Sequence, residues 1–521
     1  MSPSKKDGDY AIAQERTSES SSHTRLNEAS SSEGKTEKTS PPTSVYERKL
    51  KLLNEAMQNI GFGKYHRRLF IVSGFGWFVD SSLPLLAALI LAPIISEFKI
   101  KGPYLILALR LGFFFGACFW GPISDIKGRR WPFTLTLLIA SVFTLASGGS
   151  LTFPVLATLI ALAGFGVGGN IPVDSAVFLE FMPSTHRYLL TVLAIFWSLG
   201  QIFVDLLAWS LMPKYSCQLG ASACPSAQNM GWRYVLIISG GVSFVFWVGR
   251  FFMFHLYESP RYLLGRGQDA QAVDVVQAIA KFNGVPCSLT LEDLKASETM
   301  GVNEPSGKSG SDGLKYILQR LQDLFSPRKA AVSTTLLVFI WSTIHLATVL
   351  YISFLPYLLV SRGSEFGDAS LAVAYRNQLI ITCSGLLAPL IAGLMIEMPI
   401  VGRRRGLAAF SFLTGAFLLA STTSRTSNVL LAWNCGFSFA HNAMYAVLGN
   451  FTAEVFPTRS RGTGNALVSL FSRLAGVVGP LMALYLNIIT ATPIYIAGGL
   501  TLLAGVLVLL VPYESRRMDL Q

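Results

Sequence analysis

Residues 180–187 of the chain read EFMPSTHR and residues 454–461 read EVFPTRSR, so the pattern E-x-x-P-x-x-x-R occurs twice. Two further segments recur in the same order. The stretch GPISDIKGRR at 121–130 has a counterpart in GLMIEMPIVGRRR at 393–405, and the tripeptide YES ends both series, at 257–259 and 513–515. One short match would carry little weight, but three matches in one order predict a duplicated unit.

The composition indicates that this duplicated unit lies in a membrane. Only 14% of the 521 residues are charged, 51% are hydrophobic, and the mean hydropathy is +0.47. The net charge of +12 does not indicate a nucleic-acid binder, because such proteins are rich in Lys and Arg rather than poor in all charges. Six cysteines exclude a disulfide-dense secreted scaffold, and the hydrophobic content excludes disorder for most of the chain.

Twelve apolar windows are long enough to cross a bilayer, for which about 20 residues suffice. The sequence therefore predicts an all-α membrane protein with twelve transmembrane helices in two pseudo-symmetric six-helix halves. The windows of the first half lie near 69–95, 103–123, 131–149, 153–182, 188–212 and 232–256. Those of the second half lie near 330–360, 371–396, 406–421, 427–452, 463–489 and 491–512.

The segments around these windows complete the predicted domain organisation. It consists of a disordered tail (1–43), an amphipathic, interfacial lead-in (44–68), the first half (69–256), a central link (257–329), the second half (330–512) and a short tail (513–521). The end of the central link has apolar residues at helical spacing and predicts an amphipathic helix. That helix lies either on the membrane surface or against other residues of the link.

The distribution of basic residues predicts the orientation of the chain. Residues 1–50 and 257–329 each carry as many acidic as basic side chains, so the positive excess lies in the apolar part of the sequence. Within that part, the even-numbered short links between windows are richer in Arg and Lys than the odd-numbered links. The positive-inside rule then predicts that both termini and the central link are cytosolic.

These motifs resemble those of the major facilitator superfamily over nearly all of residues 60–517. The resemblance is carried by G-x-x-x-D-x-x-G-R-R at 121–130, by the repeated E-x-x-P-x-x-x-R, and by ESPRYLLGRG at 258–267, which is similar to a motif of sugar and organic-ion porters. FGKYHRR at 62–68 and GFGVGGNIPVD at 164–174 are more like the synaptic-vesicle-2-like and metabolite–proton symporter branch. Ile160 is a departure, since many relatives have an Arg there.

The resemblance assigns a gating role to acidic and basic residues at the predicted cytosolic helix ends. Ion pairs between the two halves would close an inner gate and break when it opens. Control of topology by positive charge is the alternative. The residues concerned are Asp125, Arg129, Arg130, Glu180, Arg187, Glu258, Arg261, Glu397, Arg403, Glu454 and Arg461.

Charges inside the predicted spans point to function, because burying one near a helix centre costs roughly 2.5–3.5 kcal/mol on insertion scales. Asp80 in the first span is the leading candidate for a proton carrier, with a permanently paired structural Asp as the alternative. Asp174 and His345 are further candidates for proton coupling, but Asp174 lies nearer the cytosolic end, which favours a gating or structural role, and His345 has a satisfied hydrogen-bonding role as its alternative. Arg473 in the eleventh span either attracts a substrate carboxylate or pairs with a span acid such as Asp80.

Polar and aromatic side chains within the spans are candidates for lining a central cavity, with simple packing as the alternative. They are Trp197, Gln201, Trp341, Tyr351, His441, Asn442 and Tyr445. Asp205 and Arg110 are weaker candidates, expected to form hydrogen bonds or ion pairs within the bundle. Cys217 and Cys224, in the link after the fifth window, are candidates for a disulfide, and no Cys set has the spacing of a metal site.

The sequence predicts a secondary transporter that moves a small organic metabolite, a carboxylate or a sugar-like compound, coupled to protons and by alternating access. It has no P-loop, so we expect a gradient rather than nucleotide hydrolysis to drive transport. The alternatives are a proton-antiport exporter of toxic or secondary metabolites and a transport-inactive sensor. We expect no enzyme activity, cofactor, metal or nucleic-acid partner, and a monomer in the plasma membrane rather than in a vacuolar or vesicle membrane.

Overall fold

The computed structural model describes residues 45–512, with gaps at 101, 187–188, 218–223, 300–321, 323, 366–369, 398–401, 457–460 and 487–489. The predicted tails 1–43 and 513–521 and most of the predicted amphipathic helix of the link therefore lie outside the described residues. Throughout the described part, the regular structure is helical.

Twelve long helical segments follow the predicted windows, six in each half. The first half contains Lys64–Leu89 with Leu91–Phe98, Tyr104–Lys127, Arg130–Ser147, Phe153–Phe181, Ala194–Tyr215, and Gly231–Val248 with a π-helical turn at Gly249–Met253. The second half contains Arg328–Ile352 with Leu355–Glu365, Leu371–Ser384 with Ala388–Glu397, Arg403–Ser421, Ser427–Val455, Arg461–Tyr485 and Thr492–Leu509. We refer to them as the first to the twelfth span.

Ten of the twelve spans in the described part are long and apolar enough to cross a membrane. The other two are the ninth and the tenth. The ninth begins with three consecutive arginines, at 403–405, and the tenth carries Asn434, His441 and Asn442 along its length. Their polarity reflects a charged helix end in one case and interior polar side chains in the other, so neither departs from the predicted twelve-span arrangement.

The two halves pack their helices in the same way, which confirms the predicted fold class. In the first half, the fourth span packs on the second and third, and the third packs on the sixth. In the second half, the tenth span packs on the eighth and ninth, and the ninth packs on the twelfth. Between the halves, the second span contacts the eleventh and the fifth contacts the eighth, which are equivalent pairs under the pseudo-symmetry.

Glycines bring the backbones of the second and fourth spans together. A Cβ atom at Gly116 would lie 2.2 Å from the carbonyl oxygen of Phe165, and one at Gly168 would lie 2.4 Å from that of Phe113. Neither carbonyl can move without breaking its helix. The glycine-rich run at 164–169 therefore serves close helix packing, as small residues do in membrane bundles.

The bundle has two ends, which we name by their features. The link face carries the central link, and the disulfide face carries Cys217 and Cys224, which the structure joins by a disulfide with Cα atoms 6.0 Å apart. Toward the disulfide face the two halves share one apolar core, including Leu86 and Ile94 of the first half and Leu355 and Leu358 of the second.

Toward the link face, the described residues of each half form a separate core. The core of the first half includes Phe178 and Phe181, and that of the second includes Phe451 and Phe456. Since the apolar contact between the halves is concentrated near the disulfide face, the bundle is closed at that face.

Helices at the link face cover the first half. The lead-in forms a helix, Val45–Ile60, and the link forms Pro260–Gly265, Asp269–Asn283 and Leu291–Thr299. Lead-in side chains including Leu53 and Met57 are buried in one core with the link helices, and Lys49 forms an ion pair with Asp269. The apolar face of the lead-in is therefore covered by protein rather than left free for lipid.

At the disulfide face, Glu97 ties the end of the first span to the start of the sixth. Its carboxylate accepts hydrogen bonds from Arg233 at 2.7 and 3.1 Å, from Trp232 Nε1 at 2.8 Å and from Asn229 Nδ2 at 2.9 Å. Burial by itself would raise the pKa of Glu97, but these donors together hold that pKa below its usual range.

Candidate functional site

Three charged side chains from two halves meet near the middle of the bundle, and we call them the central charge group. Asp80 lies on the first span, Arg110 on the second and Arg473 on the eleventh. Asp80 interacts electrostatically with both arginines, and the arginines interact with each other. The group therefore straddles the boundary between the halves.

Asp80 is buried, with 4% of its surface exposed, but it is not locked in a pair. Its Oδ1 atom is buried without a hydrogen-bond partner, and no described side chain forms an ion pair with it. An unpaired carboxylate at this depth is costly, and binding a proton removes the charge. Of the two interpretations drawn from the sequence, the geometry favours the proton carrier over the permanently paired structural Asp.

The two arginines are also left with unused donors. Arg110 donates to Ser353 Oγ over 3.4 Å, while its Nε is buried without a partner. Arg473 lies within the field of Asp80 but forms no ion pair or hydrogen bond with the side chains that the structure describes. Guanidinium groups with free donors bind carboxylates in a bidentate manner. The group has two cations for one acid and can accept a further anion.

Aromatic and imidazole rings adjoin this group, and we call them the aromatic cluster: Trp341, His345, Phe437, His441 and Tyr445. The ring of Tyr445 lies 4.8 Å from that of His441 and 6.0 Å from that of Trp341, and His441 stacks on Phe437 at 5.2 Å. Such rings provide flat, polarisable surfaces for an organic ligand.

His345 connects the aromatic cluster to the arginines. Its Nδ1 lies 3.5 Å from the hydroxyl of Tyr445, which in turn lies 3.1 Å from Thr348 Oγ1. A Cβ atom at Gly476 would lie 3.0 Å from His345 Nε2 and 3.9 Å from Arg110 Cδ, so His345 is close to that guanidinium. Two neighbouring cations repel a third, so His345 suits a hydrogen-bonding role better than the predicted role of proton carrier.

Several of the cavity candidates form hydrogen bonds within the second half. Tyr351 donates to Asn434 Oδ1 over 2.6 Å and is buried, and Asn442 donates to the carbonyl of Ser438 over 2.9 Å. Trp341 donates to Thr452 over 2.8 Å. The half-buried side chains of Trp197 and Gln201 on the fifth span have no hydrogen bond or ring contact to the central charge group within the described part.

Asp174, for which the sequence offers proton coupling but favours a gating or structural role, lies in a buried ion pair. It accepts from Arg250 at 2.8 and 3.2 Å, and both side chains are fully buried. Arg250 also donates to the carbonyls of Phe133 and Val72. This network links the first, third, fourth and sixth spans, which supports a structural role for Asp174 over proton coupling. The sequence analysis missed Arg250, although a charge inside an apolar window was the available signal.

The gating residues of the first half pair within that half, which corrects the predicted ion pairs between halves. Arg129 forms ion pairs with Asp125 at 2.6 Å and with Glu180 at 3.0 Å. Glu258 accepts from the backbone N–H groups of Arg129 and Arg130 at 2.6 and 3.4 Å, which caps the start of the third span. Arg261 donates to Asn54 of the lead-in helix.

The second half repeats this arrangement at the equivalent positions. Arg403 forms an ion pair with Glu454, as Arg129 does with Glu180. Three of the predicted gating residues are not covered: Arg187 and the side chains of Glu397 and Arg461 lie outside the described part. Within the described part of the motifs, the pairs Arg129–Glu180 and Arg403–Glu454 therefore each brace the link face of their own half.

Comparison with known proteins supports the fold and gives the site a context. A family model described as "Sugar (and other) transporter" matches residues 103–520. The chain is 50% identical over 477 residues to "MFS siderochrome iron transporter 1" of Ceriporiopsis subvermispora, covering 91% of this chain and 92% of that protein. It is 24% identical over 436 residues to the niacin transporter NiaP of Acinetobacter baylyi, covering 83% and 90%.

Among solved structures, the chain is similar to the xylose transporter XylE from E. coli in a partially occluded, inward-open conformation. The TM-score is 0.64 at 14% sequence identity, and the match covers 87% of this chain and 99% of that one. At this identity the similarity concerns the fold alone.

Proposed function

We propose that this chain, which belongs to the sugar (and other) transporter family of the major facilitator superfamily, carries a small organic acid across the membrane together with a proton. The observation that carries the proposal is the central charge group, in which Arg110 and Arg473 have free donors and Asp80 has no partner. With Asp80 ionised the group has one net positive charge, and with Asp80 protonated it has two.

This charge balance supports a substrate with one carboxylate. One guanidinium from each half grips the anion, so the substrate bridges the two halves as it binds. The aromatic cluster beside the arginines favours a substrate with a flat ring next to its carboxylate. Niacin has this chemistry, and the niacin transporter to which the chain is similar makes it the first compound to test.

The same group couples the substrate to a proton. While Asp80 is ionised, it competes with the substrate anion for Arg473 and Arg110. Protonation of Asp80 removes this competitor, so the proton and the anion bind together more tightly than either binds alone. Movement of the halves about the contacts between the second and eleventh spans and between the fifth and eighth spans then exposes the loaded site to the opposite side.

Uptake into vesicles tests the substrate assignment. Purified full-length protein is reconstituted, a pH gradient is imposed, and entry of labelled niacin is followed. We expect the gradient to drive accumulation and a protonophore to abolish it. Nicotinamide is the matched control ligand, because it keeps the ring and replaces the carboxylate with a neutral amide. Equal transport of the two compounds would contradict recognition by the arginines.

Variants in the same vesicles test the assigned roles. Asp80→Asn should abolish gradient-driven accumulation while niacin still exchanges, whereas Asp274→Asn, at an exposed link position, should behave as wild type. Arg473→Gln should raise KM at least about tenfold, since a charged hydrogen bond contributes about 1.5–3 kcal/mol. Arg376→Gln, at an exposed position of the eighth span, is its control. Gradient-driven accumulation by Asp80→Asn would remove Asp80 from the mechanism.

Uptake of an iron chelate is a second candidate, favoured by the 50% identity to a protein named as a siderochrome iron transporter. Anionic chelates would meet the same two arginines. Vesicles loaded with radioactive iron chelates distinguish the candidates, and reversing the pH gradient distinguishes import from proton-antiport export. Binding of a ligand without transport of any label would indicate a sensor.

A further inference from the structure

A second buried acid lies where the two halves meet, away from the central charge group. Asp205, on the fifth span, has no exposed surface. Its Oδ2 atom lies 2.5 Å from the hydroxyl of Thr382 on the eighth span, which belongs to the other half. This is a hydrogen bond across one of the two principal contacts between halves.

The hydrogen-bonding capacity of this site is not filled when Asp205 is ionised. Asp205 Oδ1 and Gln378 Oε1 are both buried acceptors without a partner. The hydroxyl of Thr382 lies within reach of two acceptors, Asp205 Oδ2 and the carbonyl oxygen of Gln378 at 3.1 Å, but it carries one hydrogen. The carbonyl of Gln378 also accepts the helical N–H of Thr382, so the carboxylate atom left without a donor is Asp205 Oδ1.

A proton on Asp205 removes the buried charge and leaves Oδ1 as a neutral carbonyl oxygen, which is less costly to bury without a donor than a carboxylate oxygen. The carboxyl O–H then donates to Thr382 Oγ1, and the hydroxyl of Thr382 donates onward to the carbonyl of Gln378. The side chain of Gln378 also faces this hydroxyl, with its Nε2 at 3.5 Å. One chain of hydrogen bonds then runs from the fifth to the eighth span.

No described cation compensates a charge on Asp205. On the eighth span, Arg376 is exposed and bonds to Asn377, and the thiol of Cys383 is the titratable group that interacts electrostatically with Asp205. The packed first span contributes Asp80, which belongs to the central charge group, and the sixth span contributes Arg250, which Asp174 neutralises, and Arg233, which pairs with Glu97 at the disulfide face.

We propose that Asp205 is a second proton-binding site, whose proton holds the fifth and eighth spans together while the disulfide face is closed. Separation of these spans exposes the carboxyl to water, and the proton then leaves. Neutral Asp205 therefore favours the closed contact, and ionised Asp205 favours its opening. The inference rests on the alternating-access part of the proposed function, but on neither the substrate nor the role of Asp80.

Hydrogen–deuterium exchange of the full-length protein tests this without substrate or vesicles. Exchange is followed in peptides covering 200–210 and 374–384, at several pH values. Asp205→Asn keeps the side-chain size but stays neutral at every pH. At each pH the two proteins are compared directly, so the intrinsic pH dependence of exchange cancels. We expect the wild type to exchange faster than Asp205→Asn in these peptides as the pH rises, and equally at low pH.

Thr382→Val provides an independent arm should Asp205→Asn fold poorly. It removes the hydroxyl that donates to the carboxylate, a bond that stabilises the ionised form more than the neutral one, so the pH at which the contact opens should rise by about one unit, a tenfold change in proton affinity. Thr382→Ser, which keeps the hydroxyl, should retain the wild-type profile. Identical pH profiles for the wild type and Asp205→Asn, or for Thr382→Val and Thr382→Ser, would overturn the proposal. Because no transport is measured, a failed niacin assay leaves this result interpretable.

Discussion

The ion pair between Asp174 and Arg250 offers the sharpest test of how the first half is held together. Replacing Arg250 with Met removes the cation and keeps an unbranched apolar side chain of similar length. The change leaves the carboxylate of Asp174 fully buried without its partner. It also removes the donors to the carbonyls of Phe133 and Val72, which the guanidinium contacts at 2.6 and 2.9 Å.

The expected loss of stability in Arg250→Met follows from the burial of this ion pair. Removing one member of a buried pair generally costs about 3–5 kcal/mol, because the remaining charge is uncompensated. Removing both is far less costly, since two apolar side chains can fill the same space. We therefore expect Arg250→Met to destabilise the protein by about 3–5 kcal/mol, and the double variant Asp174→Leu/Arg250→Met to recover most of this loss.

Thermal unfolding of the purified protein in detergent measures both effects. The exposed pair of Lys51 and Glu55, whose charged atoms lie 4.0 Å apart, supplies the control. Glu55→Gln should change stability by at most about 0.5 kcal/mol, as for other exposed helix pairs. The reasoning is refuted if Arg250→Met melts like the wild type, or if the double variant is as unstable as the single one.

Three further predictions concern contacts at defined positions. Gly76→Ala would place a Cβ atom 1.8 Å from Asp174 Oδ2 and should lower the unfolding free energy by about 1–3 kcal/mol; unchanged melting would contradict this. Ionised Glu97 stabilises the fold above its unfolded pKa, and this stabilisation is lost as the pH falls through its lowered folded pKa. Glu97→Gln should therefore flatten the acid side of a plot of melting temperature against pH. Parallel plots for the wild type and the variant would argue against this. Arg403→Gln should slow transport as Arg129→Gln does, because each pairs with the Glu of its own half; loss in only one variant would show that the halves are not equivalent.

The number and spacing of the helices could be predicted from the sequence, and the reasons are local. The bilayer requires about 20 apolar residues per helix, so each span appears as a continuous window. The duplication is visible because the same motifs recur after the second and fourth spans of each half. The spans Phe153–Phe181 and Ser427–Val455 begin at the first residue of their predicted windows.

The candidate site could be predicted only in part. Asp80 and Arg473 were recognisable as charges within apolar windows, and the structure brings them near each other. Arg110 gave the same signal but was assigned a structural role, and Arg250 was overlooked. A charge within an apolar window of the sequence is predicted to lie inside the membrane-spanning bundle. The window does not show which neighbouring helix faces that charge.

The sequence by itself determined that the chain is a duplicated bundle of membrane helices, because span length and motif order are properties of short stretches. Only the tertiary structure decided which buried charges are neutralised. Asp174 and Arg250 are 76 positions apart and meet because the fourth and sixth spans present them to the same space. Asp80 lies near Arg110 and Arg473 but forms an ion pair with neither, and no described cation faces Asp205. That difference depends on helix rotation and packing, and it separates a structural acid from the two that we propose to carry protons.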